Sequence, residues 1–237
     1  MLLGQFTIDV RMLEVIVLAA GRGTRMKSEL PKVLHPIGGK PMLACVLDTA
    51  RQLGAERIHV VVGHGASQVS DAVAAPDVEI YLQSEQLGTG HAALQAAPSC
   101  HADNTVLVLF GDVPLLSAGV LADVVSAAET QPTLLAATLE DPSGYGRVIR
   151  GTDGSFTRVV EQKDGLPHEL EVTEVNTGVI AARGSELVAW LGQVKNDNAQ
   201  GEFYLPDVLS LALQDGKKVS VVVTDKSNEI SGVNDRA

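Results

Sequence analysis

Short β-branched runs that end in glycine, separated by alanine-rich stretches with helical spacing, recur along this chain and leave few architectures open to it. Leu13-Glu-Val-Ile-Val-Leu18 leads into Ala-Ala-Gly, Ile58-His-Val-Val-Val62 ends at Gly63, and Thr105-Val-Leu-Val-Leu-Phe110 ends at Gly-Asp. Each reads as a strand buried on both faces that opens into a loop. Val78 to Leu82 and Thr133 to Leu139 add strands, and residues 42–53, 66–74, 91–97 and 117–130 carry the helical pattern. This alternation predicts an α/β fold with a mostly parallel central sheet, helices on both faces, and ligands at the carboxyl ends of the strands. After Pro142 the strands shorten to 147–150, 156–160 and 172–181, with helical signals at 185–191 and 205–214 and a last strand at 219–223. The expected organisation is a leader or extension over 1–11, a first lobe over 12–141, and a smaller β-rich lobe with closing elements over 142–237.

With 237 residues and 45% hydrophobic content, the chain can bury a core without staples. Cys45 and Cys100 lie far apart with no Cys-x-x-Cys or His partner spacing, so neither a disulfide framework nor a zinc site is expected, only free, buried thiols. No apolar run reaches bilayer length and the start lacks a secretory pattern, so the reading is cytoplasmic, without a membrane partner. A formal net charge of -11 argues against nucleic acid as a partner. The segment from Arg22 to Lys40 is the contrast: Arg22, Arg25, Lys27, Lys32 and Lys40 face the single acid Glu29. It is either a local phosphate site or a solvated basic loop.

The glycines of Leu18-Ala-Ala-Gly-Arg-Gly-Thr-Arg-Met26 can turn backbone N–H groups toward phosphate oxygens. Met26 stands where the dinucleotide fingerprint needs its third glycine, Val62-Gly63 ends the second strand where that fold wants an acid, and no Walker pattern is present. Asp112 follows a six-residue apolar run, so its carboxylate is expected at the carboxyl end of a central strand. There it is either a hard-oxygen ligand suited to magnesium or the cap of the Gly-Asp-Val-Pro bend. Gln83 and Gly88 offer an amide and an open backbone able to read a pyrimidine edge; the plainer readings are an exposed strand end and, for Thr89, the N-cap of the next helix. His91 on that helix reads as packed or capping, and Trp190 as core.

Leu-x-x-Gly-x-Gly-Thr-Arg-Met followed by Pro31-Lys32-Val33-Leu34 resembles the signature loop of the sugar-nucleotide pyrophosphorylases. Gln83 to Ala92, Gly111-Asp-Val-Pro-Leu115, Tyr145-Gly-Arg147, Val160-Glu-Gln-Lys163, Asn176-Thr-Gly178 and Gly232-Val-Asn234 continue the likeness in order, from about Met12 to Arg236. Within that family the match resembles the uridylyltransferase domain of bifunctional uridylyltransferase/acetyltransferases. It implies a Rossmann-like, GT-A-like nucleotidyltransferase fold whose first lobe binds nucleotide and whose second binds sugar. The implied reaction joins UTP to N-acetylglucosamine 1-phosphate, giving UDP-N-acetylglucosamine for cell-envelope precursors and pyrophosphate.

By the same resemblance, Leu18, Ala19, Ala20, Gly21, Gly23, Gln83, Gly88 and Thr89 bind the nucleotide, with Gln83 and Gly88 on the uracil, while Arg25 and Lys32 act on the phosphates. Asp112 and Asn234 hold magnesium. Gly146, Glu161 and Asn176 bind the sugar, with Tyr145 and Tyr204 as walls of its pocket; locally satisfied polar groups are the plainer alternative. Phe110 departs from the tyrosine common in the family, removing one hydroxyl. Full-length relatives trimerise through a hexapeptide-repeat domain missing here, so acetyl transfer is not expected of these residues. The competing readings are the same chemistry on another sugar 1-phosphate and a silent module that binds nucleotide sugars.

Overall fold

The computed structural model describes residues 11–233. In chain order the elements are β1 (Leu13–Ala19), β2 (Pro36–Ile37), β3 (Lys40–Pro41), α1 (Met42–Gln52), β4 (Arg57–Val62), α2 (Ala66–Val73), β5 (Val78–Leu82), α3 (Thr89–Ala96), β6 (Thr105–Phe110), α4 (Ala118–Ala128), β7 (Thr133–Thr138), β8 (Arg147–Arg150), β9 (Phe156–Val160), α5 (Pro167–Leu170), β10 (Glu174–Arg183), α6 (Gly184–Leu191), α7 (Asp207–Gln214) and β11 (Ser220–Thr224). The strands and longer helices fall close to where the pattern places them. The β2–β3 hairpin and α5 are additions, too short to register as periodicity.

The main path of the sheet runs β11-β7-β10-β6-β1-β4-β5, and β8 and β9 extend from β10 to make nine strands. β6, β1, β4 and β5 are parallel neighbours, as are β7 and β11. β10 runs antiparallel between β6 and β7. The sheet is therefore mostly parallel but mixed, and its reversed strand carries the chain across the middle.

β1 is buried along its whole length, and its alternate residues feed two cores. Val15, Val17 and Ala19 pack with Leu43 and Leu47 of α1, Val69 of α2 and Leu121 of α4. Ile16 and Leu18 pack with Ala93 of α3, Leu187 and Trp190 of α6, and Leu209 of α7. A strand that buries both faces needs helices on both sides, which is why it reads as an unbroken apolar run. Trp190 is core, as its amphipathic setting predicts, and its indole N–H donates to Asp215 Oδ2 at 2.7 Å. Residue 142 does not cut the sheet, since β10 and β11 complete the same layer. Among the described residues no helix is long and apolar enough to cross a membrane. Residues 1–10, most of the expected leader, lie outside the described residues.

Candidate active site

The carboxyl ends of β1, β4 and β6 meet where the chain leaves the sheet at Ala20, Gly63 and Gly111. A cavity of about 240 Å³ opens there, lined among others by Leu18, Ala19, Ala20, Gly21, Lys32, Gln83, Gly88, Thr89 and Asp112. Residues from four separate stretches of sequence thus share one surface.

The glycine loop is shaped for close approach. Gly23 has a left-handed backbone (φ 57), and a Cβ there would stand 2.5 Å from Cβ of Lys32. Only glycine lets the loop lie against the residue that carries the ammonium group. Lys32 opens a short 3₁₀ turn behind Pro31, and its Nζ donates to Asp112 Oδ2. Both side chains are largely but not wholly covered, at 12% and 26% exposure, so the pair faces the cavity. Val233, the last described residue, donates its backbone N–H to Asp112 O at 3.0 Å, bringing the end of the described chain to this loop. Asn234 lies outside the described residues. Arg25, exposed on the turn that leads into the buried Met26, and Gly23 are not among the residues lining the cavity.

Gln83 is buried, and its amide nitrogen donates to Gly88 O at 3.1 Å and meets His91 Nδ1 at 3.0 Å. Both amide hydrogens are thereby committed to the protein, and the carbonyl oxygen is what Gln83 can offer a ligand. The expectation of an exposed strand end is overturned. His91 packs as expected, its ring centroid 6.2 Å from that of Phe203, and one of its nitrogens also meets the Gln83 amide. Thr89 does not cap α3. The N-cap is Gly88, without a side-chain cap bond, and Thr89 Oγ1 accepts from Leu205 N at 3.0 Å.

A second cavity, also about 240 Å³, shares Thr89, Phe110 and Glu202 with the first and is lined further by Tyr145, Gly146, Glu161, Asn176 and Tyr204. The β10 hydrogen bonds set its floor: Asn176 N donates to Gly146 O and Asn176 Oδ1 accepts from Gly178 N, each at 2.8 Å. A Cβ on Gly146 would lie 2.8 Å from Glu161 Oε1, so the glycine makes room for the carboxylate. Burial raises the pKa of Glu161, a tendency that the hydrogen bond from Asn176 opposes. Tyr204 donates to Asp164 Oδ2 at 3.3 Å. Phe110 spans both cavities with an apolar ring, its edge against Gly178.

Sequence reasoning missed Gln86 and Glu202 in the lining. Gln86 accepts from Arg22 at 3.1 Å and donates to Gln83 O at 3.4 Å. Glu202 stands on a strap in which Phe203 N donates to Leu87 O and Phe203 O accepts from Gly90 N. Its only sequence signal is the acid in Asn-Ala-Gln-Gly-Glu, which resembles any turn.

A mostly parallel α/β sheet, a glycine loop beside a lysine–aspartate pair, and two adjoining cavities at the strand ends define a nucleotidyltransferase. The chain belongs to the MobA-like NTP transferase domain family, which matches residues 15–164. It is 52% identical over 226 residues to the bifunctional protein GlmU of Burkholderia orbicola, covering 95% of this chain and 50% of that protein. Identity is 51% over 225 residues to GlmU of Pseudomonas aeruginosa (94% and 49% covered) and 48% over 226 residues to GlmU of Cellvibrio japonicus (95% and 50%). The chain spans about half the length of these curated relatives.

Proposed function

We propose that this domain transfers the uridylyl group of UTP to N-acetylglucosamine 1-phosphate, releasing pyrophosphate and giving UDP-N-acetylglucosamine. The observation that carries the reading is the pair of cavities joined at Thr89, Phe110 and Glu202. One is bordered by phosphate-handling groups and an amide reader, the other by a carboxylate, an amide and tyrosines suited to sugar hydroxyls. Two substrates can therefore meet at the boundary, and the division into nucleotide and sugar lobes follows this line.

In this reading the phosphate oxygen of the sugar phosphate attacks the α-phosphorus of UTP, and the bond to the β-phosphate breaks. The attacking group is already an anion, so no side chain need remove a proton. Lys32, with Arg25 from the same basic segment, stabilises the charge on the departing pyrophosphate, and backbone N–H groups around Gly21 and Gly23 orient the triphosphate. Gln83 and Gly88 hold the uracil; Gly146, Glu161 and Asn176, between Tyr145 and Tyr204, hold the sugar. Among the described residues the first cavity offers carboxylate, amide and hydroxyl groups with no thiol or imidazole in its lining, a donor set suited to a hard divalent cation. Asp112 and Asn234 would hold magnesium, whose chemistry when bound is neutralisation of phosphate charge. The trimer of full-length relatives rests on chain beyond these residues.

Purified protein mixed with UTP, N-acetylglucosamine 1-phosphate and magnesium is expected to release pyrophosphate, and to stop with chelator. Release only with glucose 1-phosphate or with CTP would keep the chemistry and replace the substrate. UTP binding without release from any pair would make the domain a silent binder.

A further inference from the structure

We propose that Glu14, His59 and Cys100 form a second metal site, at the opposite end of the sheet from the nucleotide cavity, for a borderline-soft divalent cation of the zinc type. Glu14 stands near the start of β1, His59 near the start of β4, and Cys100 just after α3. Their ligand atoms all lie within 4.8 Å of one another, and all three side chains are buried. A tetrahedral zinc centre sets such atoms about 3.5 Å apart, so the histidine and carboxylate atoms would part slightly and the sulfur draw in, adjustments that small side-chain rotations supply.

The surroundings already orient two ligands. Tyr81 OH donates to Glu79 Oε2 at 2.7 Å, so its oxygen, 3.2 Å from His59 Nδ1, is placed to accept the Nδ1 hydrogen. A metal-bound His59 would keep its hydrogen on Nδ1 and turn Nε2, 2.7 Å from Glu14 Oε2, toward the ion. Glu14 Oε1 accepts from His101 N and Asn104 Nδ2, each at 2.8 Å, which turns Oε2 toward the histidine. A hydrogen shared between His59 Nε2 and Glu14 Oε2 would satisfy the pair and would make no use of the adjacent sulfur. A metal ion uses all three, with the histidine and carboxylate braced by outer partners in the way metal ligands usually are.

Before metal binds, Cys100 is a free, buried thiol carrying its proton. Coordination forms the metal–sulfur bond and releases that proton to solvent. A cavity of about 560 Å³ lined by Glu14, Cys100, His101 and Asn104 gives an entry path and room for water as fourth ligand. The site escaped sequence reasoning because its ligands come from three distant segments and match no spacing rule.

The full chain, stripped with chelator and titrated with cobalt(II), is expected to bind one equivalent with a thiolate-to-cobalt charge-transfer band. Cys100→Ser should abolish the band and weaken zinc binding at least ~10-fold; Glu14→Gln should weaken zinc binding similarly, and Asp112→Ala should keep the band. In wild-type protein, zinc should also slow alkylation of Cys100 without slowing that of Cys45, which holds the test open if a variant misfolds. Absence of the band, its persistence in Cys100→Ser, or alkylation of Cys100 unchanged by zinc would overturn the site and leave a buried histidine–carboxylate hydrogen bond.

Discussion

At the scale of single residues, the proposed site turns on Lys32 and Asp112, an ion pair facing the cavity. Asp112→Ala is expected to lower turnover by at least ~100-fold, the cost of losing one preorganised electrostatic group, while circular dichroism and melting temperature stay near wild type. Near-normal turnover would remove Asp112 from the mechanism. His91 leads to a finer prediction. By accepting from Gln83 it keeps the amide from flipping, so that under the proposed function the carbonyl would meet the uracil ring N–H and oppose the bare ring nitrogen of cytosine. His91→Ala should cut the preference of kcat/KM for UTP over CTP by ~10-fold, about the worth of one hydrogen bond. An unchanged ratio with lower overall activity would return His91 to a packing role. Gln83 was legible in the sequence because amide and glycine flank a helix start. The partner that orients it was not, since a histidine on a helix announces nothing until its neighbour across the loop is known.

Among the elements, α7 carries a charge whose cost depends on pH. Burial raises Asp207, in its first turn, to about 6, with the nearby Asp164 carboxylate adding to the effect. A folded value above the unfolded one means the neutral form suits the fold. The stability it provides is complete below about 4 and lost as pH rises through about 6. In full the rise would be worth about 3 kcal/mol, which solvent reaching this half-buried group cuts to about 1–2 kcal/mol. Asp207→Asn is therefore expected to melt higher than wild type at pH 8 and to match it near pH 4, as a pair of thermal unfolding series would show. A constant offset across that range would assign the gain to packing. The sequence made the strands and helices legible because period 2 and period 3.6 are local signals. The direction of β10 was not. Val175 to Ala182 has the composition of any buried strand, and its reversal between β6 and β7 is set by where the β8–β9 arm returns the chain.

For the molecule as a whole, the sequence disclosed layers and the end of the sheet that binds, because parallel strands leave their loops on one side. It did not disclose how far the two cavities overlap, which depends on Phe110 and the Glu202 strap meeting across the fold. Charge is the whole-molecule property with a kinetic consequence. The protein carries a formal -11, yet Arg22, Arg25 and Lys27 stand exposed on the loop that UTP would approach under the proposed function. At ionic strengths near 0.01 M the screening length is ~30 Å, so an incoming triphosphate meets the repulsion of the whole domain. Near 0.15 M the length falls to ~8 Å, leaving the local basic loop as the field it meets, and near 1 M that too is screened. The association rate of UTP, followed by stopped flow with a fluorescent analogue at constant magnesium, should rise from low to physiological salt and then fall. A steady decline throughout would mean that the loop steers the nucleotide from any distance and that the acidic remainder of the surface has no say in capture.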